Sequence, residues 1–134
     1  MKKFFVGVKG IVKDERGYLL LHRDYKSGNY WDIPGGRIDG NEDFEDTLKR
    51  ELAEELPGIT ISALKELQGA FRLQKDIEGD TSLVLLYFLV EAKLPETIIL
   101  SEEHESYLFV NSVKEVPTEG LNPEISTILH NLMK

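Results

Sequence analysis

The chain has 134 residues, of which 41% are apolar, so it is long enough for a domain with a hydrophobic core and unlike a disordered chain. It contains no cysteine, which excludes disulfides, thiolate metal sites and cysteine nucleophiles, and its three histidines lack the spacing of a zinc site. The formal charge of −8 would repel a nucleic-acid polymer, although a small phosphate compound screened by a cation remains a candidate ligand.

The N-terminal stretch MKKFFVGVKG does not predict a secretory signal, because Lys9 interrupts its apolar residues. No segment approaches the roughly 18 consecutive apolar residues of a membrane span. We therefore expect a soluble, cytoplasmic protein with one domain over residues 1–134 and no contact with membranes. The sequence leaves the oligomeric state open, with a homodimer as one alternative.

The first third of the chain predicts strands joined by turns, because apolar and β-branched runs alternate with glycine-rich and charged stretches. The first two strands are expected to form a hairpin. The predicted elements are a strand at 4–12, a turn at 14–17, strands at 18–23 and 30–33, a loop at 24–29 and a long turn at 34–41.

A helix is predicted next. Asp43 is suited to cap its N-terminus, and the dipeptide Pro57-Gly58 is expected to end it. The apolar residues of this helix recur every four positions and form its predicted buried stripe, at Phe44, Leu48, Leu52 and Leu56.

The rest of the chain predicts further strands and a C-terminal helix. Residues 82–92 are almost continuously apolar, which indicates a central strand buried on both faces. Residues 122–134 predict an amphipathic helix capped by Asn122. Other strands are predicted as a pair within 59–74 and singly at 97–100 and 107–110. The order β-β-β-α-β-β-β-β-α indicates an α+β fold, a mixed sheet between helices in an α/β/α sandwich.

Three glutamates share one face of the first predicted helix. Glu51, Glu54 and Glu55 lie at i, i+3 and i+4, where each pair of like charges costs roughly 0.2–0.5 kcal/mol. Glu54 and Glu55 also lie near the helix C-terminus, where the dipole is negative. A divalent cation such as Mg²⁺, which prefers oxygen ligands, would reverse this unfavourable balance. The alternative interpretation of the segment alone is a solvated acidic surface.

The surrounding sequence resembles the Nudix box, G-x5-E-x7-R-E-U-x-E-E-x-G-U, in which U is an aliphatic residue. Gly36 is followed after five residues by Glu42, and seven more residues lead to the segment RELAEE at 50–55. The preceding WDIPGG also resembles the usual lead-in to the box. One departure is that Gly58 comes one position late, which concerns how the chain leaves the helix and not the spacing of the glutamates.

The resemblance implies a Nudix fold with the catalytic loop and helix at 35–58. It also implies hydrolysis of a phosphoanhydride bond with Mg²⁺ or Mn²⁺ as cofactor. The implied metal ligands are the carboxylates of Glu51, Glu54 and Glu55 and the carbonyl oxygen of Gly35.

The implied catalytic residues are Arg50, Glu51, Glu54 and Glu103. Arg50 would orient Glu51 through a charge-assisted hydrogen bond, with an ordinary pair to Asp46 or Glu54 as the alternative. Glu42 corresponds to a glutamate that is mainly structural in the family. In the segment LSEEHESYLFV, Glu103 is the candidate for the general base or an extra ligand, and Glu102 is its rival.

Three positions are expected to contact substrate. Arg23 and Arg72 are candidates for phosphate contacts because the guanidinium group binds phosphate with two hydrogen bonds, and plain surface charge is the alternative. Gly36 would allow the backbone to approach metal or phosphate closely. Trp31 is interpreted as a packing residue, with stacking on substrate as the alternative.

The substrate is expected to be a small nucleotide. Residues 74–77 carry neither the proline typical of ADP-ribose pyrophosphatases nor the tyrosine typical of diadenosine polyphosphate hydrolases. The preferred interpretation is a MutT-like nucleoside triphosphate pyrophosphohydrolase. The alternatives are another Nudix subtype acting on nucleotide sugars, ADP-ribose or dinucleoside polyphosphates, and a non-catalytic nucleotide-binding module. A passive Ca²⁺ site is disfavoured because the glycine-spaced EF-hand loop is missing.

Overall fold

Seven strands and two α-helices make up the described part of the chain, which is residues 1–25 and 28–134 of the computed structural model. A single 3₁₀ turn lies at Val113–Glu115. In chain order the elements are β1 (Lys3–Asp14), β2 (Gly17–Tyr25), β3 (Gly28–Asp32), β4 (Gly35–Arg37), α1 (Phe44–Glu55), β5 (Thr60–Arg72), β6 (Thr81–Lys93), β7 (Ser106–Val110) and α2 (Pro123–Leu132).

The strands form one mixed sheet, with the path β3-β2-β1-β6-β5. β1 pairs in parallel with β6 along its whole length, and its pairing with β2 covers the hairpin end, at Lys13↔Tyr18 and Asp14↔Gly17. β1 and β2 then part, and each takes a different partner. β4 pairs with β1 at residues 7–9, and β7 pairs with β2 at residues 18–22. β4 therefore lies against the part of β1 that β2 leaves unpaired.

The helices cover opposite faces of the sheet, which confirms the predicted α/β/α arrangement. The core on the α1 side includes Leu52 and Val8, and the core on the α2 side includes Leu129 and Ile11. β6 contributes to both cores, so its apolar run is explained by burial on two faces. Neither helix in the described ranges combines the length and apolar character that a membrane crossing requires.

Both helices begin at the predicted caps. The side chain of Asp43 accepts a hydrogen bond from the backbone N–H of Asp46, and the reciprocal bond completes a capping box. Asn122 caps α2 by accepting from the N–H of Glu124. α1 ends at Glu55, and the late Gly58 has a φ of 88°, so the extra residue is taken up in the turn that leads to β5.

Several predicted elements differ from the structure. The stretch 59–74 is one strand, β5, and not two, because register shifts against β6 absorb the irregular positions without ending the pairing. Residues 97–100 are not a strand: Ile98 is buried in the α1-side core and Ile99 is 70% exposed. Ile98 therefore packs this loop against the core, whereas Ile99 contacts water.

Three further differences concern the segments around the first helix. The predicted turn at 34–41 contains β4, since the glycines pair with β1. In the predicted loop at 24–29, β2 extends to Tyr25 and β3 begins at Gly28, while residues 26–27 lie outside the described ranges. Phe44 was expected in the buried stripe but is 46% exposed, because it lies at the first position of α1, with its ring against Phe88.

Because Leu52 is buried and Phe44 is partly exposed, replacing each by alanine should reduce stability by different amounts. Leu52→Ala removes a fully buried side chain, and we expect it to lower the free energy of unfolding by about 2–5 kcal/mol. Phe44→Ala should cost about 1 kcal/mol or less, since the ring already contacts water. Urea denaturation of both variants checks this. Equal losses would contradict the assignment of Phe44 to the surface.

Candidate functional site

Strand β4 brings two glycines next to the glutamates of α1. The backbone N–H of Gly35 donates a hydrogen bond of 2.7 Å to Oε2 of Glu55. A Cβ atom at Gly35 would overlap the backbone of Val8, and one at Gly36 would overlap the carboxylate of Glu51. The absence of side chains at both positions therefore lets two carboxylates approach the backbone of β4 closely.

Glu55 is a buried carboxyl group, with 8% of its surface exposed. Burial raises its pKa to about 7, in spite of the hydrogen bond from Gly35 and the charge of Lys9. The nearby charges of Glu51 and Glu103 raise the pKa further. A bound cation would offset this repulsion and favour the ionised form of the buried Glu55.

Arg50 links two other carboxylates of the box. Its Nε and Nη2 atoms donate to the two oxygens of Glu42 at 2.7 and 2.9 Å, and its Nη1 donates to Oε1 of Glu51 at 2.8 Å. The hydrogen bond from Arg50 lowers the pKa of Glu42 to about 2. Nη1 is 3.7 Å from Glu54, so the contact with Glu51 is the closer one. Glu42 thereby anchors the arginine that orients Glu51.

A turn before β7 carries the third contribution to the site. The N–H of His104 donates to the carbonyl of Ser101, and the N–H of Glu105 donates to the carbonyl of His22 on β2. This turn places Glu103 and His104 beside Glu55, and the candidate ligand atoms of these three residues lie within 4.8 Å of one another. The sequence predicted a role for Glu103 but none for His104.

The remaining predicted ligands and bases lie outside that group. The side chain of Glu54 is 60% exposed and faces Arg50. Glu102 is also exposed, next to Glu103 in the same turn. The structure thus collects Gly35, Glu51, Glu55 and Glu103 near β4 and leaves Glu54 and Glu102 towards solvent.

A cleft of about 610 Å³ opens beside these groups. It is lined by the glycines of β4, by carboxylates, by two cations and by apolar side chains: Lys9, Gly35, Gly36, Arg37, Glu51, Ile77, Glu78, Leu83, Leu85 and Glu103. Nζ of Lys9 bonds Oδ2 of Asp32 at 2.8 Å, and the Arg37 guanidinium lies 4.5 Å from the centre of the Phe5 ring. The lining of the cleft therefore contains both negative and positive side chains.

Sequence reasoning did not assign a role to Lys9 or Arg37. A signal existed for Lys9, because a lone cation inside an apolar strand is unusual unless it is paired or functional. Arg37 directly follows the Gly-Gly pair, which the pattern itself placed near phosphate. Both could have been proposed as phosphate contacts on those grounds.

The predicted substrate residues lie on three different strands. Arg23 is on β2, opposite Tyr30 of β3, and it follows His22, whose carbonyl accepts a hydrogen bond from the turn that carries Glu103. Arg72 is exposed at the end of β5, with its guanidinium 4.9 Å from the centre of the Phe4 ring. Trp31 packs against the α2-side core and contacts the ring of His22, which favours a packing role.

The residues of this centre fit a divalent cation. They offer carboxylate oxygens and one buried imidazole nitrogen, and the two glycines of β4 let the carboxylates of Glu51 and Glu55 come close to the same stretch of backbone. Nδ1 of His104 is buried without a hydrogen-bond partner among the described residues, which is unusual for a polar atom in a folded protein.

Comparison with known proteins shows the family to which the chain belongs. A family model described as the NUDIX domain matches residues 3–132. The chain is 31% identical to the low-salt glycan biosynthesis protein Agl8 of Haloferax volcanii, over 95% of this chain and 81% of that protein. It is 29% identical to an 8-oxo-dGTP diphosphatase of Buchnera aphidicola, over 92% of this chain and 88% of that protein.

Solved structures show the same fold. A MutT protein from Methanosarcina mazei superposes with a TM-score of 0.75, at 23% identity, over 97% of this chain and 93% of that one. The family match spans nearly all of the sequence, and the sheet with its two helices has the same architecture as that protein. The chain therefore belongs to the NUDIX domain family and is a Nudix hydrolase.

Proposed function

We propose that this Nudix hydrolase is a MutT-like pyrophosphohydrolase that cleaves nucleoside triphosphates with Mg²⁺ or Mn²⁺. One observation carries the proposal: carboxylates from α1 and from the turn before β7 meet the Gly35-Gly36 backbone at one end of a cleft that also contains Lys9 and Arg37. Carboxylates suit a divalent cation, and the two positive side chains suit the phosphates of the substrate.

The residues that would hold the cation are Glu51, Glu54, Glu55 and the carbonyl of Gly35. When bound, the ion would make an attacking water more acidic and neutralise charge on the phosphate oxygens. Arg50 contributes by fixing the orientation of Glu51, because its guanidinium is itself held by Glu42. Glu54 reaches the ion only if its exposed side chain turns towards β4 when the site is loaded.

The proton of the attacking water also needs an acceptor. Glu103 lines the cleft, and its exposed carboxylate can exchange protons with solvent. In the proposed reaction the water oxygen forms a bond to phosphorus, its proton passes to the Glu103 carboxylate, and the phosphoanhydride bond breaks to release pyrophosphate. Arg23, Arg72 and the backbone of Gly36 are proposed to contact the phosphates.

The choice of substrate rests on three observations. The Buchnera relative is named for a diphosphatase acting on a nucleoside triphosphate. The cleft of about 610 Å³ and the net charge of −8 suit a small nucleotide better than a polymer. A non-catalytic module is disfavoured, since the carboxylates of the box are all present.

Turnover of a panel of compounds tests the proposal. With Mg²⁺ or Mn²⁺, we expect nucleoside triphosphates to release pyrophosphate faster than nucleotide sugars, ADP-ribose or dinucleoside polyphosphates are cleaved. Glu55→Gln should lower kcat by on the order of 100-fold or more, because a charged ligand is lost. Glu45→Gln is the control, as Glu45 lies on the exposed face of the same helix, paired with Lys49. Wild-type turnover in Glu55→Gln would contradict the assignment.

The two adjacent glutamates of the turn can be separated experimentally. Glu103→Gln should lower kcat by on the order of 10²–10⁴-fold, the usual contribution of a general base. Glu102→Gln should leave kcat within about threefold of wild type, because Glu102 is an exposed residue outside the cleft lining. Steady-state kinetics of both variants decides between them, and the reverse pattern would assign the base to Glu102.

Acid titration tests the anchoring of Arg50. The pKa of Glu42 is lowered from 4.5 to about 2 in the folded protein, so its ionised form stabilises the fold above pH 4.5. This contribution is lost as the pH falls towards 2. We expect Glu42→Gln to be less stable than wild type at pH 7, and the difference in stability to be clearly smaller at pH 3, measured by urea denaturation. A gap of unchanged size at pH 3 would contradict the anchor.

A further inference from the structure

His104 stands apart from the other groups of the site because it is a histidine in a cluster of carboxylates. Its side chain is 8% exposed, and one ring nitrogen lies within 4.8 Å of carboxylate oxygens of Glu55 and Glu103. An imidazole nitrogen that carries no proton offers a lone pair, and this is the form that binds metals.

The backbone around His104 is held by hydrogen bonds on both sides of the residue. The backbone N–H of His104 bonds Ser101, and the following residue, Glu105, bonds the carbonyl of His22 on β2. These bonds fix the backbone position from which the His104 side chain reaches Glu55 and Glu103. Its Nδ1 atom has no hydrogen-bond partner among the described residues, so the ring is not explained as a structural hydrogen-bonding group.

We propose that His104 supplies a nitrogen ligand to a divalent ion shared with Glu55, and that this nitrogen makes the site prefer Mn²⁺ to Mg²⁺. Two ligands at about 2.0–2.2 Å from one ion lie at most about 4.4 Å apart, so the three donor atoms require only a small movement to converge. The proposal rests on the metal site of the proposed function and adds to it a ligand and a selectivity.

The chemistry of the donor set gives the direction of the selectivity. Mg²⁺ binds oxygen ligands and keeps several waters, and it gains little from an imidazole. Imidazole nitrogen suits transition metals, and affinity for such a donor rises along the series that starts at Mn²⁺. A site of carboxylates alone would discriminate less between the two ions. The single nitrogen of His104 is therefore the ligand that makes the site bind Mn²⁺ more tightly than Mg²⁺.

Spectroscopy of bound Mn²⁺ tests the ligand directly. Wild-type protein loaded with Mn²⁺ should show electron spin echo modulation from one directly coordinated nitrogen, and labelling of histidine with ¹⁵N should change that modulation. His104→Gln should abolish it. The control is His130→Gln, since His130 lies on α2 with its Nδ1 near the carbonyl of Ser126, and this variant should keep the wild-type signal.

Binding constants test the selectivity. Titration of Mn²⁺ followed by the signal of the free ion, with Mg²⁺ as competitor, should show Mn²⁺ affinity at least about tenfold weaker in His104→Gln and Mg²⁺ affinity changed less than about threefold. Circular dichroism establishes that the variant is folded. If it unfolds, the ¹⁵N-labelled wild type alone decides the proposal.

The outcomes separate this proposal from the function on which it rests. Bound Mn²⁺ without a histidine nitrogen in the wild-type spectrum overturns the role of His104 and leaves the proposed hydrolase intact. Equal losses of Mn²⁺ and Mg²⁺ affinity in His104→Gln overturn the selectivity. Wild-type protein that binds neither ion, with and without nucleotide, overturns the proposed function itself.

Discussion

The hydrogen bond from the Gly35 N–H to the buried carboxylate of Glu55 joins the sheet to the helix at the centre of the site. It satisfies one oxygen of a group that is otherwise expensive to bury, and the charge of Lys9 helps in the same direction. The compensation is incomplete, because the pKa of Glu55 is still raised to about 7. The fold thus holds a buried carboxyl group whose ionised form a nearby cation would stabilise.

The rest of the site depends on how the sheet divides. β1 and β2 part after their hairpin, so β4 can pair with β1 while β7 pairs with β2. These pairings bring together segments that are far apart in sequence, namely the glycines of β4, the glutamates of α1 and the turn at 101–104. A site assembled from three segments is held rigid by sheet hydrogen bonds rather than by one loop.

Within α1, side-chain contacts rather than sheet pairing hold the functional groups in position. Arg50 bridges Glu42 and Glu51, and the Asp43 capping box fixes the start of the same helix. These contacts give Glu51 a defined orientation before any ligand binds, which reduces the reorganisation that binding would require. Glu54 has no comparable support and its side chain remains mostly exposed.

The sequence determined the features that depend on neighbours along the chain. The caps at Asp43 and Asn122, the end of α1 and the spacing of the box glutamates all follow from local geometry, and the motif led to the family. The buried stripe of α1 followed too, except at Phe44, which lies at the first position of the helix and keeps its ring partly exposed beside Phe88. Periodicity indicates a face, but the depth of burial depends on what packs against it.

Tertiary structure decided the features that depend on distant partners. The apolar residues 97–100 lack strand pairing and β5 continues through its irregular middle, because strands are defined by partners that the pattern does not show. Likewise, Lys9, Arg37 and His104 acquired their places at the site only when β1, β4 and the turn before β7 came together. The sequence specifies which side chain stands at each position. The packing of the whole sheet determines how close that side chain comes to a residue fifty positions away.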